Sequence, residues 1–588
     1  MSSKTGRKRA PKSDPGRKIR LRGTVVSLLF VALFAAIAVR AAQLQVVKGS
    51  WLSSRAERQY QRVLTVTGKR GTIMDTNGDP LAVSVQTTSI AADPRRIGAP
   101  SAAAVRLAPR LKLSRKTLQQ KLGSKRHFVW LKREVAPEVV EAIRALKIDG
   151  LHFMAETSRV YPAKTQAGQL LGFAGIDGRG LEGVEFFYEQ HLKASSRKIQ
   201  VAKDALGRGF DDAPAETDAL NGRNVQLTID RNIQFITEKA LAEAVTRHEA
   251  QNGMAVVMAP DSGAILALAH YPFFNPNAFG EFRRDDWRNR AITDPFEPGS
   301  TMKIFSAAAA IDSGLVRADS IFYCENGAYR IGRNTVHDTK EHGWLSLQQI
   351  VKYSSNIGSV KVAETIGAKT LHRYLSDFGF GARTGVDCPG ETPGLLSSYK
   401  GWSAIDTGAI SFGQGVSVSA LQLTAAAAAI ANGGRLMRPY LVKAITDAEG
   451  RVVERIEPRV VRRVVSPQTA HTIQKILRSV TTSGGTGEAA ALEGYTVCGK
   501  TGTAQKIGSD GRYAPGKYVA SFVGFAPAER PALAILVVVD EPKKNHYGGV
   551  VAGPAFRTIA QESLHYLNVM PAHGMERLRV AIENEVNG

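Results

Sequence analysis

Ser300 and Lys303 stand three residues apart in Glu297-Pro298-Gly299-Ser300-Thr301-Met302-Lys303, directly ahead of an alanine-rich apolar run. The Pro-Gly pair breaks the chain, so Ser300 is expected at a helix N-terminus with Lys303 one turn on, facing the same side. A serine hydroxyl is a poor nucleophile at neutral pH, and a lysine within hydrogen-bond reach can take its proton once burial lowers the amine's pKa. The helix dipole also favours negative charge developing near Ser300. Ser-x-x-Lys by itself arises often by chance, and a plain N-cap serine is its bland alternative. Two further clusters change the balance. Ser354-Ser355-Asn356 follows the helical stretch Leu347–Tyr353 and offers a hydroxyl and an amide on a helix-ending loop. Lys500-Thr501-Gly502-Thr503 is expected at the end of a strand over residues 495–498. A strand edge ending in Gly502 lets a substrate backbone approach and pair as an extra strand, while Thr503 can offer its backbone N–H to an oxyanion. In this order, the three clusters point to acyl transfer through Ser300.

Such clusters need a rigid frame, and the periodicity from Asn224 onward predicts one. Residues 225–229 alternate as a strand, and Asp230 can cap a helix running through Ile233, Ala240 and Ala244. Strands follow over residues 254–258 and 264–269, joined by the turn residues Asp261-Ser262-Gly263. A second apolar hairpin pairs residues 518–525 with 532–539, and alanine-rich helices over 306–311 and 420–431 lie between the two hairpins. Strands at both ends with helices between them predict an α+β domain whose sheet is closed by distant parts of the chain. The preceding region, residues 48–221, is mixed α/β with basic helical stretches over 114–122 and 137–146 and no tandem repeat. Its sharpest local signal is Arg70-Gly71-Thr72-Ile73-Met74-Asp75-Thr76-Asn77-Gly78, where Asn-Gly after a β-branched run predicts a tight turn between strands.

The chain has 588 residues, 43% hydrophobic and 22% charged, enough for a large core and two or three domains. Lys+Arg 77 against Asp+Glu 53 gives a net charge of +24, which suits a polyanionic neighbour. Part of the excess is local: Lys4, Arg7, Lys8, Arg9, Lys12, Arg17, Lys18, Arg20 and Arg22 face the single acid Asp14. Residues 23–39 then carry no charge, and Ala41 and Ala42 extend the run past Arg40, a length at the short end of what spans a bilayer. The positive-inside rule puts the basic tail in the cytoplasm and everything after about Gln43 outside. A cleaved signal peptide is the competing reading, but the basic region and apolar run are longer than such a signal needs, so a retained anchor is expected. Attraction to anionic lipid then accounts for the tail, and no nucleic-acid module or nucleotide loop is visible. Cys324, Cys388 and Cys498 are odd in number and far apart, which predicts buried apolar side chains rather than a disulfide framework. His337-Asp338-Thr339-Lys340-Glu341-His342 lacks the ordered helical spacing of a metalloprotease site and is expected to be a polar surface loop. No metal and no cofactor is implied.

The succession Ser300-x-x-Lys303, Ser354-x-Asn356 and Lys500-Thr501-Gly502 resembles that of the penicillin-binding proteins and serine β-lactamases. Arg70-Gly71 to Asp75, Arg159-Val160-Tyr161-Pro162, Gly180-Leu181-Glu182-Gly183-Val184-Glu185 and Leu227-Thr228-Ile229-Asp230 look like landmarks of the class B penicillin-binding proteins, so the resemblance covers nearly the whole chain after the anchor. Arg288-Asn289-Arg290-Ala291, Asn356 and Tyr547-Gly548-Gly549 resemble the cell-division type, FtsI; the elongation type more often carries Asp where Asn356 stands. Thr76 departs from the family, which usually has Arg there.

The resemblance implies a basic cytoplasmic tail (1–22), a transmembrane anchor (23–43), a membrane-proximal pedestal or dimerisation-like domain (44–223), a transpeptidase domain (224–570) with an antiparallel sheet flanked by helices, and a C-terminal tail (571–588). It implies a peptidoglycan D,D-transpeptidase inhibited by β-lactams, acting at the septum in the cytoplasmic membrane beside an FtsW-like glycan polymerase and other division proteins. Its substrates would be stem peptides, as D-Ala-D-Ala donor and amine acceptor. Carried over to this chain, Ser300 is the nucleophile, Lys303 its base, and Ser354 and Asn356 relay protons and hold the substrate amide. Lys500 supports the electrostatics, Thr501 and Thr503 bind the substrate carboxylate beside Gly502, and the N–H groups of Ser300 and Thr503 form the oxyanion hole. An elongation-type transpeptidase, a D,D-carboxypeptidase or β-lactamase, and a non-catalytic penicillin-binding scaffold or sensor are the alternatives. Carboxypeptidases and β-lactamases are usually smaller and lack the membrane-proximal module.

Overall fold

The computed structural model describes residues 15–202, 218–508 and 510–571. The basic positions 4–12 and most of the C-terminal tail lie outside the described residues. Chain contacts divide the molecule into two units, one built from the N-terminal residues to Thr67 with Ser196–Leu220, the other from Gly68–Ser195 with Asn221 onward.

In the first unit a helix over Pro15–Ala42 covers the expected span 23–43 up to its last residue, and Gln43–Val47 follows as a π-helical turn. Its uncharged middle has no helix breaker, and Leu28, Leu29, Phe30, Val31 and Phe34 are all exposed. A continuous apolar surface with no protein against it is suited to lipid. Among the described residues this is the one helix long and apolar enough to cross a membrane. A shorter helix, Gly49–Tyr60, leads to an antiparallel ribbon of Gln61–Thr67 with Ser196–Ala202.

The second unit is organised by a five-stranded antiparallel sheet. Its strands are β1 (Asn252–Met258), β2 (Ile265–Tyr271), β3 (Cys498–Ile507), β4 (Tyr513–Ala526) and β5 (Leu533–Asp540), in the spatial order β3-β4-β5-β1-β2. Four of these strands are near-continuous apolar runs because both faces of the sheet are covered. Alternate residues divide between two cores. Ala255, Val257, Val537 and Val539 pack with Ile233, Leu241, Phe556 and Ile559 of helices α1 (Arg231–Arg247) and α6 (Gly553–Tyr566). Val256, Leu268, Leu536 and Val538 belong to the larger core that holds α2 (Lys303–Asp312), α3 (Leu347–Tyr353), α4 (Asn356–Asp377) and α5 (Ala420–Ala431). Asp230 caps α1 as expected, accepting from the N–H groups of Asn232 (2.9 Å) and Ile233 (3.2 Å). The helices expected over 306–311 and 420–431 and both apolar hairpins are present.

A second sheet carries strands from both sides of residue 224. Asn224–Leu227 pairs in parallel with Ile73–Met74 and antiparallel with Val442–Thr446, while Ile73–Met74 makes the expected hairpin with Pro80–Ala92. Three of the sequence landmarks meet in a buried ionic cluster. The Glu185 carboxylate accepts from Arg70 Nε (2.7 Å) and Arg159 Nε (2.6 Å), and Arg70 Nη1 also reaches Glu189 (2.6 Å). Tyr161 completes it, donating to Glu185 at 3.2 Å and accepting from the Ala174 N–H at 2.9 Å. Where the family usually has Arg, Thr76 instead accepts from a distant cation, Lys443 Nζ, at 3.2 Å through its carbonyl.

Candidate active site

Gly299–Met302 forms a 3₁₀ turn that runs directly into α2. The Lys303 N–H donates to Ser300 O, the i to i+3 bond of a 3₁₀ turn, which puts the two residues on one face. Ser300 is not the N-cap of the bland alternative: the cap position of the turn is Pro298 and that of α2 is Met302. The turn is held by the Thr301 hydroxyl, which donates to Pro298 O at 2.7 Å, and by backbone packing. Gly299 has φ +53° and donates its N–H to Gly413 O at 3.1 Å, and a Cβ on Gly413 would come within 2.1 Å of Gly299 O. Glu297 braces the approach, accepting from Gly415 N–H (2.8 Å) and the Tyr513 hydroxyl (3.1 Å), and burial pushes its pKa up.

Ser354 and Asn356 occupy a sharp junction between two helices, not the trailing loop expected. Ser354 closes α3 in the left-handed conformation (φ 63°, ψ 37°), and Ser355 is the N-cap of α4. A non-glycine residue in this region costs on the order of 1 kcal/mol or more, and it persists where the surroundings over-determine it. Here they do, because two lysines converge on the corner. Lys303 Nζ donates to Ser354 O (2.6 Å), Asn356 Oδ1 (2.8 Å) and Ser354 Oγ (3.2 Å). Lys500 Nζ donates to the same Ser354 Oγ at 3.0 Å.

Both lysines are fully buried. Desolvation lowers the Lys303 pKa to about 7, with the Asp338 carboxylate pulling the other way. Desolvation likewise pushes Lys500 well below its ordinary value, helped by the neighbouring Lys303 charge. Lys303 is thus a base poised near neutrality, joined to a second amine through one hydroxyl.

The strand expected over 495–498 begins instead at Cys498 and runs to Ile507, so Lys500, Thr501, Gly502 and Thr503 lie inside it. The reason is tertiary. β4 supplies a partner in continuous register from Cys498 to Gln505, with Lys500↔Val523 and Thr503↔Ala520. Gly502 does not end the strand; it admits neighbours, since a Cβ there would lie 2.2 Å from Ser521 Oγ and 2.9 Å from Thr301 Cγ2. β3 is an edge strand, so its outer N–H and C=O groups remain available to an added strand. Thr503 O lies against the Ser300 turn, 2.8 Å from where a Cβ on Gly299 would sit. The N–H and C=O of one strand residue point to the same edge, so the Thr503 N–H faces that turn too. Thr501 Oγ1 bonds Lys500 Nζ (3.2 Å) and Thr486 Oγ1 (3.3 Å), and Thr503 Oγ1 accepts from the Gly548 N–H at 3.1 Å.

All eight expected site residues therefore meet at one end of the sheet. Asp338 and Thr486 were not expected there. Nothing local marks them, because Asp338 sits in the polar loop after the strand Asn334–His337 and Thr486 in a glycine-rich turn. The three cysteines are free and buried. Residues 337–342 form no metal cluster among the described residues.

A serine one turn from a buried amine, beside an edge strand that can hold a peptide, has the parts needed to take an acyl group and pass it on. Residues 253–561 match the penicillin-binding protein transpeptidase domain and residues 65–227 the penicillin-binding protein dimerisation domain. The chain belongs to the class B penicillin-binding proteins. It is 35% identical to the probable peptidoglycan D,D-transpeptidase PenA of Neisseria meningitidis, over 95% of this chain and 96% of that one. It is 34% identical to the peptidoglycan D,D-transpeptidase FtsI of Escherichia coli, over 90% of this chain and 89% of that one. The crystal structure of penicillin-binding protein 3 from Mycobacterium tuberculosis, complexed with aztreonam, aligns with a TM-score of 0.68 at 29% identity, covering 87% of this chain and 98% of that one.

Proposed function

We propose that this chain is a peptidoglycan D,D-transpeptidase working through an acyl-enzyme on Ser300. The observation that carries the reading is the convergence of two buried lysines on Ser354 beside the Ser300 turn. A stem peptide lies along the outer edge of β3, its terminal carboxylate against Thr501 and Thr503 beside Gly502. Ser300 Oγ attacks the carbonyl carbon of the penultimate D-Ala while Lys303 Nζ takes the hydroxyl proton. The N–H groups of Ser300 and Thr503 stabilise the resulting oxyanion. As the C–N bond breaks, the proton passes through Ser354 to the amine of the departing D-Ala, with Lys500 biasing the relay. Asn356 holds the substrate amide. A second stem's amine then attacks the ester carbonyl, gives up its proton through the same relay and restores Ser300. β-Lactams enter the first half of this sequence as mimics of the D-Ala-D-Ala end.

The finer assignments are parts of the same proposal. The chain divides into the tail 1–22, anchor 23–43, pedestal 44–223, transpeptidase domain 224–570 and tail 571–588. The anchor is oriented with its N-terminus in the cytoplasm, as the basic residues flanking it favour. Work at the septum, beside an FtsW-like polymerase, is supported by the similarity to FtsI. The test is mass spectrometry of the detergent-solubilised full chain mixed with a penicillin, with and without Ser300→Ala. One adduct on Ser300, absent from the variant, is expected; an adduct-free native chain overturns the reading.

A further inference from the structure

Asp338 belongs to the polar loop that the sequence marked as surface, yet the fold turns it inward against the two-helix corner. Its Oδ1 accepts from the N–H groups of Asn356 (2.5 Å) and Ile357 (3.1 Å), and its Oδ2 accepts from the Ser355 hydroxyl (2.5 Å). The first N–H groups of any helix lack internal partners. Here Asp338 satisfies those of Asn356 and Ile357, and Ser355 Oγ satisfies that of Gly358 at 2.9 Å. A carboxylate at this position also faces the positive end of the α4 dipole.

The residue before it fixes the amide. Asn356 Nδ2 donates to His337 O at 3.0 Å, which leaves Oδ1 as the end presented to Lys303. Residues 337–338 thus hold the backbone of the corner and the orientation of its amide at once. They are anchored in turn, because the Asp338 N–H donates to Gly327 O at 3.1 Å.

We propose that Asp338 is a positioning residue for acylation, clamping the Ser354–Asn356 corner on which Lys303 and Lys500 converge and setting the electrostatic field in which Lys303 gives and takes its proton. The inference rests on the transpeptidase reading of the site. The charged and titratable groups around the clamp are Lys303 and Lys500 on the substrate side, with Cys324, Glu325 and Lys361 behind it. His342, from the same loop, stacks on Tyr353, the residue before Ser354, at 5.6 Å. Of these, Asp338 is the group that raises the pKa of Lys303 against the larger effect of burial.

The test is the pH profile of acylation by a fluorescent penicillin, measured on the detergent-solubilised full chain. Asp338→Asn removes the charge with little change of shape, so the acid limb should move to lower pH by about half a unit or more. Because the Asn donates where Asp accepted from Ser355, the plateau rate should also fall about 10-fold to 100-fold. Asp338→Glu keeps the charge in a displaced position, so its limb should stay near the native one while its plateau falls. A limb unchanged or moved upward in Asp338→Asn overturns the proposal, and a Glu variant whose limb moves with that of Asn does so too. If the native chain takes no adduct, it is the transpeptidase reading that fails.

Discussion

Because Lys303 is a buried amine whose pKa lies near 7, the rate at which a penicillin acylates Ser300 should follow the neutral fraction of that amine. Below about pH 7 the rate should rise about tenfold per pH unit and then level off. At its ordinary value of 10.5, Lys303 would be neutral in only a few molecules per ten thousand at pH 7; burial raises that fraction on the order of 10³-fold. The assay is the initial rate of fluorescent-penicillin labelling of the solubilised chain between about pH 5.5 and pH 9, with labelling stopped before saturation. A flat profile, or a limb centred near the ordinary lysine value, would refute the argument that desolvation makes Lys303 the base. The same shift has a counterpart in stability. The native site releases its proton near pH 7 while the unfolded chain keeps it to about 10.5, so unfolding becomes harder as pH rises through that window. The full difference is on the order of 5 kcal/mol, and it should vanish from the pH dependence of denaturant midpoints in Lys303→Met.

Gly502→Ala should reduce acylation by about 100-fold or more in the same labelling assay, because a Cβ 2.2 Å from Ser521 Oγ and 2.9 Å from Thr301 Cγ2 must displace β3 from the Ser300 turn. Pairing it with Ser521→Ala, which removes the nearest obstacle, should recover part of the loss. Glu185→Gln leaves two guanidinium groups buried without their shared counter-charge, and should lower the unfolding free energy by about 3–5 kcal/mol in denaturant titration. An unchanged midpoint would mean that solvent reaches the cluster.

Much of this site was legible because its parts are local. Ser300 and Lys303 are one turn apart, so the spacing alone orients them, and the apolar runs that become β1, β2, β4 and β5 carry their own strand signal. The Pro15–Ala42 helix was equally plain, since an uncharged run behind a basic cluster needs no partner to be read. Pairing across hundreds of residues is different. That Lys500 sits within a strand rather than beyond one depends on β4, whose register no local pattern discloses. That Ser354 closes one helix in a left-handed turn and abuts the next depends on lysines from two other segments.

Which side chains could do acyl-transfer chemistry, the order in which they occur and the segments able to become helix, strand or membrane span were all readable before folding, because each follows from a residue's own chemistry or its near neighbours. How they are tuned depends on the folded arrangement. The Lys303 pKa is set by the removal of water when α2, the α3–α4 corner and β3 close together. Asp338, in a segment as polar as any surface loop, became part of the site because the fold brought the unpaired N–H groups of α4 to it. Desolvation and long-range hydrogen bonding exist only once distant segments share one volume, and no stretch of sequence contains them alone.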